Sequence, residues 1–264
     1  MQEISIKEID MEKEPFARGE FGKVYMAKWR KKNVVVKVIR ATSGEEEEAV
    51  KSKDNVILRL SHPNVIQQFG VTWIASKEFG IVMEKAEHGS LDMWIGKIDH
   101  EKLTKIALGI VDGLDCVHSQ NVVHGNIKPK NIFMFGPSDD MTPKIANFGA
   151  SKVFQPVIKT CCHVGDGQEL HMACDGRSNL QHRFVADIFG LAMTLFEMFN
   201  NQLTTDVSDD VKRFMLGLQG GRISKIPESS KVPAHLHDVI QRGWSDNPHE
   251  RPTLDQYHST LRGK

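Results

Sequence analysis

Near residue 90 the apolar residues of this 264-residue chain change their period, and that change limits the fold more than any other feature. Upstream, short β-branched runs are separated by turn residues. "FARGEFGKVYMAKW" (16–29) sets a glycine turn between two extended pieces, and "NVVVKVI" (33–39) has the composition of a strand. "VIQQFGVTW" (65–73) and "FGIVMEK" (79–85) predict a second strand pair. One helix is predicted among them, over 45–60, with Ala49, Val56, Ile57 and Leu60 as its apolar positions. The run "GEEEE" (44–48) places acids where the helix dipole favours them, and "HPN" (62–64) stops the helix because proline disfavours helix at the residue before it.

Downstream the spacing becomes helical. In "EKLTKIALGIVDGLDCVHS" (101–119), Leu103, Ile106, Ala107, Ile110, Val111, Leu114 and Val117 recur at steps of three and four. This predicts an amphipathic helix buried on one face. "ADIFGLAMTLFEMF" (186–199) is apolar nearly all round and predicts a central buried helix. "PTLDQYHSTL" (252–261) opens with Thr253 and Gln256 at capping-box spacing. The two regions join near "EKAEHGS" (84–90), where glycine and polar residues interrupt the pattern.

Composition excludes several function classes. Hydrophobic residues make up 40% and charged residues 26%, enough for one substantial core or two small lobes sharing a cleft. Lys+Arg and Asp+Glu both number 34, and this neutrality argues against general binding to nucleic acid or to anionic membranes. No apolar run approaches the roughly 20 residues that span a bilayer. The opening "MQEISIKEIDMEKEP" is polar and acidic, unlike a signal peptide. Four cysteines are too few for a disulfide framework in a chain of this length, which predicts a reduced, cytoplasmic protein. The cluster Cys161, Cys162, His163, His171 and Cys174 invites a zinc hypothesis, but its spacing matches no common zinc pattern. The sequence therefore predicts no metal site there and a loop in which Ser151 and Thr160 are candidate phosphate acceptors.

Four further pieces occur in a fixed order: "ARGEFGKV" (17–24), Lys37 in "VVVK", "HGNIKPKN" (124–131) after the amphipathic helix, and "NFG" (147–149) after "PKIA". Later come "LHMACD" (170–175), "DIFGLAMTLFEM" (187–198) and "WSDNPHERPT" (244–253). In this order the chain resembles the protein kinase-like family, and "LSHPNVIQQFG" with "WSDNPHERPT" leans toward its tyrosine-kinase-like branch. The resemblance covers about residues 13–262. It implies an α+β, two-lobed fold: a small β-rich N-lobe with one main helix and a larger, mostly α-helical C-lobe. Residues 1–12 would be an extension, 13–84 the N-lobe, 84–89 the hinge and 90–262 the C-lobe.

The resemblance also implies roles, and the sequence departs from the family's pattern at several of them. Gly19 and Gly22 would let the backbone approach phosphates, whereas Ala17 stands where the family has its first glycine. Lys37 would meet the α- and β-phosphates. The helix acid that normally holds this lysine falls on Lys53, another cation. Val24 and Val35 would line the base pocket from above and Phe133 from below, with Met83 before the hinge residues Glu84 to Ala86. Bulk at Val35 and Phe133 would crowd the base.

Asn147 replaces the metal-binding Asp, and Asn131, the second metal ligand, remains. Two neutral amides make a poor magnesium site. Asn126 replaces the catalytic Asp, a loss of general-base function typically costing ~10²–10⁴-fold. Gly125 stands at the neighbouring arginine position, and Lys128 is retained as a candidate phosphate ligand. His124, Phe148 and Ile57 match the hydrophobic column that links the lobes. Asp175 would pair with Arg251, and Asp187 would hold the 124–126 turn. The implied function is a pseudokinase that acts through protein partners or client kinases, with ATP bound weakly and without magnesium. A low-activity Ser/Thr kinase using Lys37, Lys128 and Asn131 is one alternative, and an interaction scaffold with a closed pocket is another.

Overall fold

In the computed structural model, the described residues are 2–19, 22–41, 59–148, 180–203, 226–245 and 247–263, with Ser43, Gly44, Glu48 and Val56. The chain forms two lobes. The first is built on a six-stranded antiparallel sheet with the strand order β1-β3-β4-β6-β5 and β2 paired to β3. Its strands are β1 (Ile9–Met11), β2 (Ala17–Gly19), β3 (Gly22–Trp29), β4 (Lys32–Arg40), β5 (Gln68–Ala75) and β6 (Glu78–Glu84). The predicted strands fall on these elements, and the glycine turn joins β2 to β3 with Gly19 opposite Gly22. Of the helix predicted over 45–60, Glu48 is helical and most of the rest lies outside the described residues.

Period-two alternation gives the sheet two different faces. On β4, Val34, Val36 and Val38 enter one apolar cluster with Ala27, Trp29 and Val82. Val35 packs instead against the main core, on the side where Lys37 reaches into the cleft. On β6, Phe79, Ile81 and Met83 join the main core while Val82 points the other way. Residues 2–11, set apart by the sequence reading as an extension, take part in this sheet. β1 pairs with β3, and the Ile4 amide donates to the Val71 carbonyl at 2.8 Å.

The second lobe is helical around one short hairpin. Its helices are α1 (His100–Ser119), α2 (Leu180–Asn200), α3 (His237–Gly243) and α4 (Leu254–Leu261), and its hairpin pairs β7 (Ile132–Phe135) with β8 (Thr142–Ile145). All seven apolar positions predicted for α1 are buried. Helix α2 is buried along nearly all of its described side chains, as an apolar run without a polar stripe requires. Thr253 forms the predicted capping box with Gln256 at the start of α4, which satisfies two otherwise orphaned amides. Residues 85–89 link the lobes without regular structure.

The lobes also meet at the loop after the predicted helix stop. The Ile66 amide donates to the Ile145 carbonyl at 2.9 Å, and the Ile145 amide donates to the Asn64 carbonyl at 2.8 Å. The side chain of Asn64 donates to the Pro143 carbonyl at 2.9 Å. This loop lies so close to α1 that a Cβ at Gly113 would sit 2.4 Å from the Asn64 carbonyl oxygen. Alanine in an exposed helix interior normally stabilises relative to glycine by roughly 1 kcal/mol. At Gly113 the sign should reverse: Gly113→Ala is expected to destabilise by about 1–3 kcal/mol, read as a lower urea midpoint at unchanged m-value.

Candidate functional site

The cleft between the lobes is lined by β3, β4 and β6 above and by the 122–133 segment and the residues after β8 below. Ala17 pairs with Val24 across the β2–β3 turn. Ala17 is extended, so its Cβ costs nothing there; the positive φ falls on Gly22, at 132°. A Cβ on Gly22 would lie 2.1 Å from the Val38 carbonyl oxygen, so only glycine fits this close approach to β4. Val35 stands opposite Met83, and Lys37 opposite Ile81. Val35, Ala86 and Phe133 are all half-buried and pack against the main core.

Asp187 organises the lower wall. Its carboxylate is fully buried near the start of α2 and accepts the backbone amides of His124, at 2.7 Å, and of Gly125. It also lies 2.9 Å from Nε2 of His118. Two amides on one carboxylate fix the turn that presents Asn126, and Gly125 supplies the φ of 69° that the turn needs. His124 is fully buried and bonded at both ring nitrogens. Nε2 donates to the Ala146 carbonyl at 2.9 Å, and Nδ1 accepts the Asn126 amide at 3.2 Å. A carbonyl can only accept and an amide N–H can only donate, so the ring carries its hydrogen on Nε2. Phe148 packs against this ring in a tilted contact, 4.9 Å between centroids.

One lysine, two amide side chains and a backbone carbonyl form a directed chain across the cleft. Lys37 Nζ donates to Asn147 Oδ1 at 3.5 Å. Asn147 Nδ2 donates to Asn131 Oδ1 at 3.1 Å, and Asn131 Nδ2 donates to the Asn126 carbonyl at 2.8 Å. The link holds because Asn147 adopts a left-handed φ of 61°, which asparagine tolerates better than most residues. Both amide oxygens that would face a metal already accept hydrogen bonds. Asn126 Oδ1 is buried and has no hydrogen-bond partner, an acceptor left open beside Lys128 on the same loop.

Lys37 is buried, and loss of hydration lowers its pKa from 10.5 to about 8. Its folded value is below its unfolded one, so between about pH 8 and 10.5 the unfolded chain holds a proton that the native amine has shed. Stability from this group therefore rises with pH across that window. Lys37→Met should remove the rise, seen as a wild-type-minus-variant difference in urea midpoint that grows from pH 8 to pH 10.5. A constant difference would exclude a depressed amine.

Glu84, expected at the hinge, has a partner that no motif marks, Lys144. Lys144 Nζ donates to both Glu84 oxygens at 2.8 Å, and Glu84 Oε1 also accepts the Gln67 amide at 2.7 Å. The ammonium lies over the Phe135 ring at 4.5 Å. One ion pair thus ties the end of β6 to β8. Its residues are 60 apart, and no motif spacing could have paired them. Lys144→Met is expected to cost about 1–3 kcal/mol, because it strands a partly buried carboxylate. A double-mutant cycle with Glu84→Gln should recover most of that loss as coupling.

Arg251 reaches α2, donating to the Val185 carbonyl at 2.8 Å and to the Ser245 carbonyl at 3.0 Å. Its expected partner Asp175 lies outside the described residues, as do Lys53, Ile57, Ser151, Thr160 and the Cys161–Cys174 cluster. Among the described residues no helix is long and apolar enough to cross a membrane.

Comparison with known proteins agrees with this architecture. The family described as "Protein kinase domain" matches residues 12–260. The chain is 27% identical to "Serine/threonine/tyrosine-protein kinase HT1" of Arabidopsis thaliana, over 93% of this chain and 64% of that protein. It is 26% identical to "Mitogen-activated protein kinase kinase kinase 7" of Homo sapiens, over 97% of this chain and 41% of that protein. The chain thus spans less than two thirds of the length of each.

Proposed function

The chain belongs to the protein kinase domain family, and on that premise we propose that it is a pseudokinase, a conformational signalling module whose cleft takes a nucleotide weakly and without magnesium. The amide chain from Lys37 through Asn147 and Asn131 to Asn126 carries this reading. Magnesium favours charged oxygen ligands in near-octahedral geometry. The donor set here is two neutral amides whose oxygens are already engaged, and it does not fit the ion. Nucleotide phosphates bring negative charge, and a cleft that has exchanged carboxylates for amides repels that charge less. Lys37 and Lys128 would meet the phosphates directly, a task that elsewhere falls partly to the metal.

Asparagine at 126 has no basicity at neutral pH, so it cannot take the proton of an attacking hydroxyl. Its Oδ1 is buried but unpaired, so a local opening of the loop would let it accept a hydrogen bond from one. That acceptor favours a second reading, a slow Ser/Thr kinase in which positioning alone supplies the rate.

Thermal unfolding with ATP, with and without magnesium, separates the two. The pseudokinase reading expects a modest rise in Tm with millimolar ATP and no further rise with magnesium. A large magnesium-dependent rise together with phosphate incorporation into a protein substrate would overturn it. The double variant Asn126→Asp, Asn147→Asp should gain a magnesium-dependent shift, since it restores charged oxygens beside Lys37. An unchanged magnesium response in that variant would show that other departures also block the metal.

A further inference from the structure

Residues 2–11 lie outside the segment that matches the family, yet they are bound to both sides of the N-lobe sheet. Glu3 bridges Val71 of β5 in parallel register, and the Val71 amide donates to the Gln2 carbonyl at 3.1 Å. Seven residues later β1 pairs with β3, with Ile9 opposite Trp29 and Met11 opposite Ala27. The Glu12 amide then donates to the Met26 carbonyl at 2.9 Å. Between these attachments the segment crosses one face of the sheet. Ile4 and Ile9 are buried there in a single cluster with Val34, Val36, Val38 and Val82. The sheet is shaped to receive it: a Cβ at Gly70 would lie 2.2 Å from the Gln2 carbonyl oxygen and 2.9 Å from the Ile4 side chain.

The face that this segment covers is the back of the strand that carries Lys37. Val36 and Val38 flank Lys37 in sequence and point to the opposite side of β4. We propose that residues 2–11 are an intramolecular strap that positions β4 from behind, so that the ligand affinity of the cleft depends on whether the strap is docked. The strap clamps the sheet at β5 and β3, the strands that flank β4 and β6 in the sheet order, and fills the face between them. Undocking it uncovers that face and leaves β4 held by its strand neighbours and by packing on the cleft side alone. Coupling then passes through one strand rather than a chain of side chains, as an element whose order both sites share. The affinity part of this proposal rests on the cleft binding a nucleotide; the strap's hold on β4 does not.

Three versions of the full chain test it: wild type, a deletion of residues 1–11, and Ile4→Ala, which removes one anchor without adding charge and keeps the test usable if the deletion does not fold. Amide hydrogen exchange at residues 34–39 reads the strap's hold on β4, and ATP titration by calorimetry without magnesium reads the cleft. Exchange at 34–39 is expected to rise in the variants while α1 stays protected, and ATP affinity to fall about tenfold in the deletion. A synthetic peptide of residues 1–12 added to the deletion should restore both. Unchanged exchange at 34–39 would overturn the strap's role, and raised exchange with unchanged ATP affinity would overturn its coupling to the cleft. If wild type itself binds no ATP, the nucleotide reading fails, and the exchange and peptide arms still judge the strap.

Discussion

The Asp187 carboxylate is the point on which the lower half of the cleft depends. A buried carboxylate is tolerated only when its oxygens are well satisfied, and here two backbone amides and a histidine meet it. Those same amides belong to the turn that delivers Asn126, so burial of one charge on α2 fixes a loop 62 residues earlier in the chain. His124 extends the frame from that turn to the strand before Asn147, and Phe148 covers its ring. The frame rests on Asp187, His124 and Phe148, and from it Asn126, Asn131 and Asn147 are presented to the cleft.

The presented groups share one chemistry. An amide has the shape of a carboxylate but carries both a donor and an acceptor and no charge. The side chains of Asn147 and Asn131 bond to each other, to Lys37 and to the Asn126 carbonyl. Burial strips hydration from Lys37 and lowers its pKa. The neutral amides and the lowered lysine pKa lie side by side in the same cleft.

Much of the fold was legible because it is local. The step of three and four in 101–119 predicted the buried face of α1 residue by residue, and the short β-branched runs marked β3 to β6. Thr253 and Gln256 announced a cap through a contact only three residues long. The order of the motifs drew attention to Lys37, Asn131 and Asn147, which the fold brings within hydrogen-bond reach of one another. What spacing could not show was which amide oxygen was engaged, or that the positive φ at the glycine turn falls on Gly22 and leaves Ala17 unstrained. The glycines of α1 carried no signal either: Gly113 looks like a weak helix residue until Asn64 is placed against it.

The sequence by itself determined the elements, their order and the amide residues at 126, 131 and 147, because period, propensity and residue identity are properties of short windows. Only the tertiary structure decided that Glu84 pairs with Lys144, that the asparagines form one directed chain, and that residues 2–11 close over the back of β4. The polar opening segment has two buried isoleucines five residues apart, a spacing that matches neither a strand nor a helix stripe. Its place was set by the apolar face that the sheet left to be covered. The physical reason is the same in each case: a contact between distant residues is selected by what packing and desolvation leave unsatisfied, and that remainder exists only once the elements have met.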